Sequence, residues 1–268
     1  MTWLAAAAML LAIAAFSYAT VSQRRARENA ARLESASRAL EQLQRAFSRF
    51  APATVVEQII ERGLSATAEK REVTVLFADL QGFTSLSERL DPVSLVEILN
   101  GYFARMSRAI RDHHGHVSKF MGDGLMALFG ALEKNPWDAR DAVEAALEMR
   151  AALQSYNVEL ERRGLPALSF GVGIHRGTAV AGIVGSEQLL EFTVIGDTVN
   201  TAARVESLTR RQGTAILITD AVSERLRGRF ALRAMPACEV KGKAEPLLTF
   251  AVDGPAEVTS AAEQRRAL

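Results

Sequence analysis

Glu72-Val73-Thr74-Val75-Leu76-Phe77-Ala78-Asp79 runs directly into Leu80-Gln81-Gly82-Phe83-Thr84. The first eight residues are rich in β-branched and aromatic side chains and predict a buried strand. Asp79 ends that strand, and the glycine turn behind it offers backbone N–H groups to a phosphate. Further along, Gly122-Asp123-Gly124 separates the apolar stretches Val117–Met121 and Leu125–Phe129, a short-hairpin signal with Asp123 at its tip. Either carboxylate alone is an ordinary turn aspartate. Two of them on neighbouring strand ends are what a two-Mg²⁺ phosphoryl-transfer site requires.

A third segment, Thr193-Val194-Ile195-Gly196-Asp197-Thr198-Val199-Asn200-Thr201-Ala202-Ala203-Arg204, predicts a strand, a tight turn and a helix. Asn200 and Arg204 are four residues apart and share a helix face. They form either an exposed polar stripe or an amide and a guanidinium aimed together at a ribose and a phosphate. Around these segments, Asp91-Pro92 opens a helix through about Asp112, and Asn135-Pro136-Trp137-Asp138 opens another that ends near Gly164. Strands are expected at Leu168–His175, Thr178–Val184 and Glu191–Ile195. A helix over Thr198–Leu208 and strands at Ala215–Thr219, Phe230–Val240 and Leu247–Val252 follow. Strands alternating with helices, plus a hairpin, predict an α+β sandwich with helices over one mixed sheet.

Other chemistries find little support. There is no G-x-x-x-x-G-K-[ST] phosphate loop, and Gly171-Val172-Gly173-Ile174-His175-Arg176-Gly177 is out of register for a dinucleotide turn. His113, His114 and His116 do not share one face and read as a solvated helix end stopped by Gly115. The 268 residues carry 32 Lys plus Arg against 31 Asp plus Glu, which removes the electrostatic case for a nucleic-acid partner. With 49% hydrophobic and 24% charged residues, global disorder is excluded. The single cysteine, Cys238, rules out an internal disulfide framework.

Residues 1–22 hold no charged side chain, and Arg24, Arg25 and Arg27 follow at once. As a helix, Trp3–Val21 would span about 28 Å, close to the hydrocarbon thickness of a bilayer. Positive charge after the apolar run, not before it, favours a retained anchor over a cleaved signal. The expectation is a single pass through the inner (plasma) membrane, with lipid around residues 3–21 and everything after it in the cytoplasm. From Arg24 to Phe50 the positions Ala26, Leu33, Ala36, Leu40, Leu43, Phe47 and Phe50 step by three and four, with Asn29 filling the gap between Ala26 and Leu33, the repeat of a parallel two-helix seam. Seven arginines against three glutamates in that stretch keep an amphipathic helix on lipid headgroups as the alternative. The expected organisation is an anchor over 1–22, a helical stalk over 23–50, a short helix and linker over 51–70, a catalytic domain over 71–255 and a frayed tail over 256–268.

On Val75–Thr84, Lys119–Asp123, Thr193–Arg204 and Val240-Lys241-Gly242-Lys243, in that order, the chain resembles the class III nucleotidyl cyclases from about Arg71 to Val252. The resemblance implies a palm-related, ferredoxin-like core acting as a homodimer. It implies that Asp79, Asp123 and the Leu80 carbonyl hold two Mg²⁺ or Mn²⁺ ions per active site. Gly82, Phe83 and Thr84 would line the substrate phosphates, and Lys119 with Thr193 would select the base. Asn200 would position the ribose, Arg204 would meet the α-phosphate in the transition state, and Lys241, with Lys243 as a rival, would bind the terminal phosphates. Phe47-Ser48-Arg49-Phe50 and the nearby Pro52 resemble the element that precedes such domains and carries signals to them.

Base choice follows from donors and acceptors. Adenine N1 accepts and suits the Lys119 ammonium, while its N6 amino group donates and suits the Thr193 oxygen. Guanine would present N1–H to Lys119, and guanylyl enzymes of the family answer that donor with glutamate. No glutamate stands at 119 or 193. The expected reaction is therefore ATP to 3′,5′-cyclic AMP and pyrophosphate in intracellular signalling, under an upstream stimulus that the sequence does not name. A guanylate cyclase is one alternative. A non-catalytic nucleotide-binding module is another, but it would be marked by loss of a metal aspartate, Asn200 or Arg204, and all four are present. A diguanylate cyclase would show G-G-[DE]-E-F at the hairpin, where this chain has Gly122-Asp123-Gly124-Leu125.

Overall fold

The computed structural model describes residues 22–24, 29–30, 32–39, 68–185, 190–238 and 246–256, and the chain divides into two units, residues 1–60 and 61–268. In the first unit the described residues are helical. Leu33 is exposed there, and Glu34 pairs with Arg38 one turn on at 3.5 Å. The expected anchor over Trp3–Val21, the segment 51–67 and the tail from 257 lie outside the described residues. Among the described residues no helix is long and apolar enough to cross a membrane.

The second unit runs β1 (Glu69–Leu80), α1 (Phe83–Ser87), α2 (Pro92–Asp112), β2 (His116–Met121), β3 (Gly124–Phe129), α3 (Asp138–Arg162), β4 (Phe170–Gly185), β5 (Leu190–Ile195), α4 (Asp197–Gln212), β6 (Ile216–Thr219), α5 (Asp220–Ser223), β7 (Phe230–Ala234) and β8 (Thr249–Pro255). Among the described residues the strands form one sheet in the order β2-β3-β1-β4-β6-β8-β7, with β5 added along β4. Among the described residues only β4 and β6 pair in parallel, so the sheet is mixed, as expected.

Period-2 alternation along β1 decides what each face buries. Leu76, Ala78 and Leu80 join Ile98, Tyr102, Met106 and Ile110 of α2 and Ala142, Ala146 and Met149 of α3 in the main core. Val73 and Val75 face the other way, in a cluster with Ala202 of α4. Asp79 continues this second face, so the sequence parity of one strand aims it toward α4. That helix lies close on β4 because two glycines leave room for it. A Cβ at Gly173 would overlap the Glu206 backbone nitrogen, and one at Gly171 would overlap Thr209 Oγ1. The glycine pattern that mimics a dinucleotide turn is thus a helix–sheet packing device.

Several expected boundaries change. The two strands expected at Leu168–His175 and Thr178–Val184 are one 16-residue strand, because β1 pairs with it without a break from Glu69↔Ala181 to Leu80↔Phe170. Gly177 lies inside this ladder, opposite Val73, and makes no turn. Helix α4 runs four residues past its expected end at Leu208, to Gln212, where Gly213 at φ 61° caps it. β7 stops at Ala234 instead of reaching Val240. At the end of α2 the left-handed residue is His114 at φ 59°, not Gly115. Gly115 is needed instead for close approach, since a Cβ there would overlap the Phe129 ring. His116 belongs to β2, and burial pushes its imidazole down to about 4. The α2 start is as expected: Asp91 accepts from the Val93 and Ser94 amides at 3.1 and 3.0 Å.

Candidate active site

Both aspartates arrive at one sheet end. The β1–β3 register sets Ala78 against Leu125, which places Asp79 beside Gly124 at the foot of the hairpin. A Cβ on Gly124 would lie 2.8 Å from Asp79 Oδ1, so glycine is what admits the carboxylate. Gly122, at φ 62°, makes the left-handed turn that carries Asp123. The Asp79 carboxyl is held above its ordinary value, first by burial and then by the neighbouring Asp123 charge, while Arg210 acts in the opposite direction.

Arg210 was not among the candidates from sequence. Its Nη2 donates to Asp79 Oδ2 at 2.8 Å and to the Leu80 carbonyl at 3.0 Å. A cationic group of the protein therefore already sits on two of the three oxygen donors expected to hold metal. Two carboxylates and a carbonyl are hard ligands of the kind Mg²⁺ and Mn²⁺ take, and the residues present fit such an ion. Glu206, one turn earlier on α4, is also new. It is 9% exposed, its Oε1 has no hydrogen-bond partner, and burial followed by the Asp79 charge pushes its carboxyl up to about 7. The i, i+4 spacing of Glu206 and Arg210 was available in the sequence, but the helix was expected to end before it completed.

The base-selecting pair lies at a second place, where β2 meets β5. A register shift between Val117 and Lys119 breaks the strand alternation at Ser118. Ser118 and Lys119 then both reach β5. Ser118 Oγ lies 3.4 Å from Thr193 Oγ1 and 3.5 Å from the Phe192 carbonyl, both long contacts. Lys119 Nζ stands 2.8 Å from Glu191 Oε1. Thr193 is buried and Lys119 half-exposed. The structure thus sets Lys119 against Glu191 and its neighbour Ser118 against Thr193; sequence reasoning missed Glu191 because it sits two residues outside the recognised position.

Asn200 is exposed on α4, and Arg204 Nη1 is buried with no hydrogen-bond partner. At about 100° per residue, the Asn200–Arg204 face lies roughly 120° around the helix from the Glu206–Arg210 face. One helix therefore presents its ribose and phosphate candidates away from the aspartates of its own chain. Gly82, at φ 73°, starts α1 without a side-chain cap, and the preceding Gln81 amide donates to the Ser169 carbonyl at 2.8 Å. Phe83 packs against the main core and Thr84 is exposed. Lys241 and Lys243 lie outside the described residues.

The fold and the carboxylate pair define the class: a nucleotide-cyclising catalytic domain. The chain belongs to the adenylate and guanylate cyclase catalytic domain family, whose model matches residues 66–254. It is 39% identical over 217 residues to an adenylate cyclase of Anabaena cylindrica, covering 77% of this chain but only 42% of that relative. Among solved structures it resembles the guanylyl cyclase Cya2, with 36% identity and a TM-score of 0.67 over 72% of this chain and 97% of that one. It also resembles the adenylyl cyclase CyaB from P. aeruginosa, with 29% identity and a TM-score of 0.67 over 71% and 98% of the two chains.

Proposed function

We propose that the protein is an adenylate cyclase, converting ATP to 3′,5′-cyclic AMP and pyrophosphate. The observation that carries the choice of base is that neighbouring β2 residues both reach β5, Ser118 to Thr193 and Lys119 to Glu191, so that a lysine donor and a threonine acceptor near one another would match adenine N1 and its N6 amino group. The adenylate cyclase relative supports the same reading.

In the proposed reaction the 3′-oxygen forms a bond to the α-phosphorus as the bond to pyrophosphate breaks, and the 3′-hydroxyl proton passes to solvent water. Asp79, Asp123 and the Leu80 carbonyl would hold the divalent cations. When bound, those cations supply acidification of the hydroxyl and neutralisation of the leaving group. Asn200 orients the ribose. Arg204, whose Nη1 has no hydrogen-bond partner among the described residues, receives the charge that grows on the α-phosphate oxygens. Lys241 binds the terminal phosphates.

The two faces of α4 support a site shared between two copies. In a twofold dimer each chain lends its aspartates to one site and Lys119, Thr193, Asn200, Arg204 and Lys241 to the other. An anchor over residues 3–21, placing the catalytic domain at the inner face of the plasma membrane, belongs to the same proposal. It is supported by the charge-free run and the arginines behind it. The test is incubation of the purified full chain with ATP or GTP and Mg²⁺ or Mn²⁺, followed by product identification. Cyclic AMP and pyrophosphate as main products are expected; turnover of neither nucleotide overturns the reading.

A further inference from the structure

We propose that Glu191 is a specificity-determining residue of the base pocket, holding the Lys119 ammonium toward adenine while its own carboxylate stays masked from guanine. This rests on the adenylate cyclase reading and deepens it. Glu191 and Thr193 are two residues apart on β5 and therefore share a face. The Glu191 side chain is 42% exposed, but its Oε1 is covered and lies 2.8 Å from the Lys119 ammonium. A covered carboxylate oxygen needs a nearby cation, and Lys119 is that cation. The bulge at Ser118 is what turns the lysine toward it.

The ammonium has three donors, so it can stay beside Glu191 and still donate to adenine N1. Its flexible four-carbon stem would otherwise spread it over many rotamers. Glu191 removes that freedom before substrate arrives. The same carboxylate is the acceptor that guanine N1–H and its 2-amino group lack at positions 119 and 193. Lys119 covers it. Base choice then belongs to the pair, with the lysine serving adenine and also shielding the glutamate.

An ordinary exposed ion pair would contribute at most about 1 kcal/mol to stability and nothing to base choice. The experiment separates the two roles by measuring kcat and KM for ATP and GTP on the full-length dimer. Glu191→Gln should raise the KM for ATP about tenfold with kcat changed less than about threefold, and Glu191→Asp should recover part of the loss. Lys119→Met uncovers the carboxylate and should raise the GTP/ATP ratio of kcat/KM by about tenfold or more. Adding Glu191→Gln to Lys119→Met should abolish that gain. Loss of folded protein lowers both nucleotides together, so an unchanged GTP/ATP ratio in Lys119→Met, or an unchanged KM for ATP in Glu191→Gln, overturns the inference. If the wild type makes neither cyclic nucleotide, the adenylate cyclase reading itself fails. A wild type that makes cyclic AMP beside unresponsive Glu191 variants sinks the inference alone.

Discussion

Among the carboxylate–cation pairs of this domain, Asp79 with Arg210 and Glu191 with Lys119 share a 2.8 Å separation. In the proposed reaction their roles are reversed. At the sheet end the acid would be the working group, next to a second aspartate and a strand-end carbonyl, where the arginine occupies donors that a metal would need. At the β2–β5 junction the cation would be the working group, and the glutamate would keep it in place. What differs is the surroundings of the acid. Asp79 stays above its ordinary titration range despite Arg210, because burial and Asp123 act against the guanidinium. The lesson is that an ion pair does not reveal which partner serves substrate. The third group beside it does.

The largest expected effect tests whether the two pairs serve different sites within one dimer. Asp79→Ala should lower activity about a thousandfold or more, since metal charge stabilisation is worth several kcal/mol. Arg204→Ala, which damages the Lys119 half, should also be severely impaired. Mixed under conditions of subunit exchange, the two should recover roughly a quarter of wild-type activity, because half the dimers keep one intact site. A mixture no better than the sum of its parts breaks the division of labour.

Lys119→Glu sharpens the other side of the comparison. It deletes the donor to adenine N1 and sets two carboxylates together, so kcat/KM for ATP should fall about a hundredfold. A drop no larger than a few-fold would mean that Lys119 does not address the base.

Glu206 sits on the acid-rich side, and its pKa near 7 makes stability depend on pH. The folded state holds the proton more tightly than the unfolded chain. The favourable contribution is therefore complete below about 4.5 and is lost as pH rises toward about 7. After allowance for solvent screening this amounts to about 1–2 kcal/mol. Thermal unfolding followed from pH 5 to 8 should show the decline in the wild type and a flatter profile in Glu206→Gln.

The smallest effect belongs to Arg210, which is half-exposed. Replacing it with glutamine removes the cation competing for Asp79 and Leu80, and Mn²⁺ should bind about three- to fivefold more tightly by calorimetry, in line with a surface ion pair of up to about 1 kcal/mol. Weaker binding in the variant would show that Arg210 supports the metal and does not compete with it.

The sequence by itself determined the parts whose signals are local. The β-branched and aromatic run of β1 marked a buried strand with Asp79 at its end. Gly122 and Gly124 marked the turn that carries Asp123, Asp91 with Pro92 set the start of α2, and i, i+4 spacing paired Asn200 with Arg204. Only the tertiary structure decided the rest. Arg210 meets Asp79 across 131 residues of chain, and Lys119 meets Glu191 because a bulge at Ser118 overrides strand alternation. Gly171 and Gly173 read as strand residues and Gly115 as a helix stop in the sequence, yet each serves a close approach by a distant helix or ring. The physical reason is the range of the information. Periods of 2 and 3.6 state which way a side chain points along its own element, but which groups it meets there depends on the register and packing distance of elements far away in the chain.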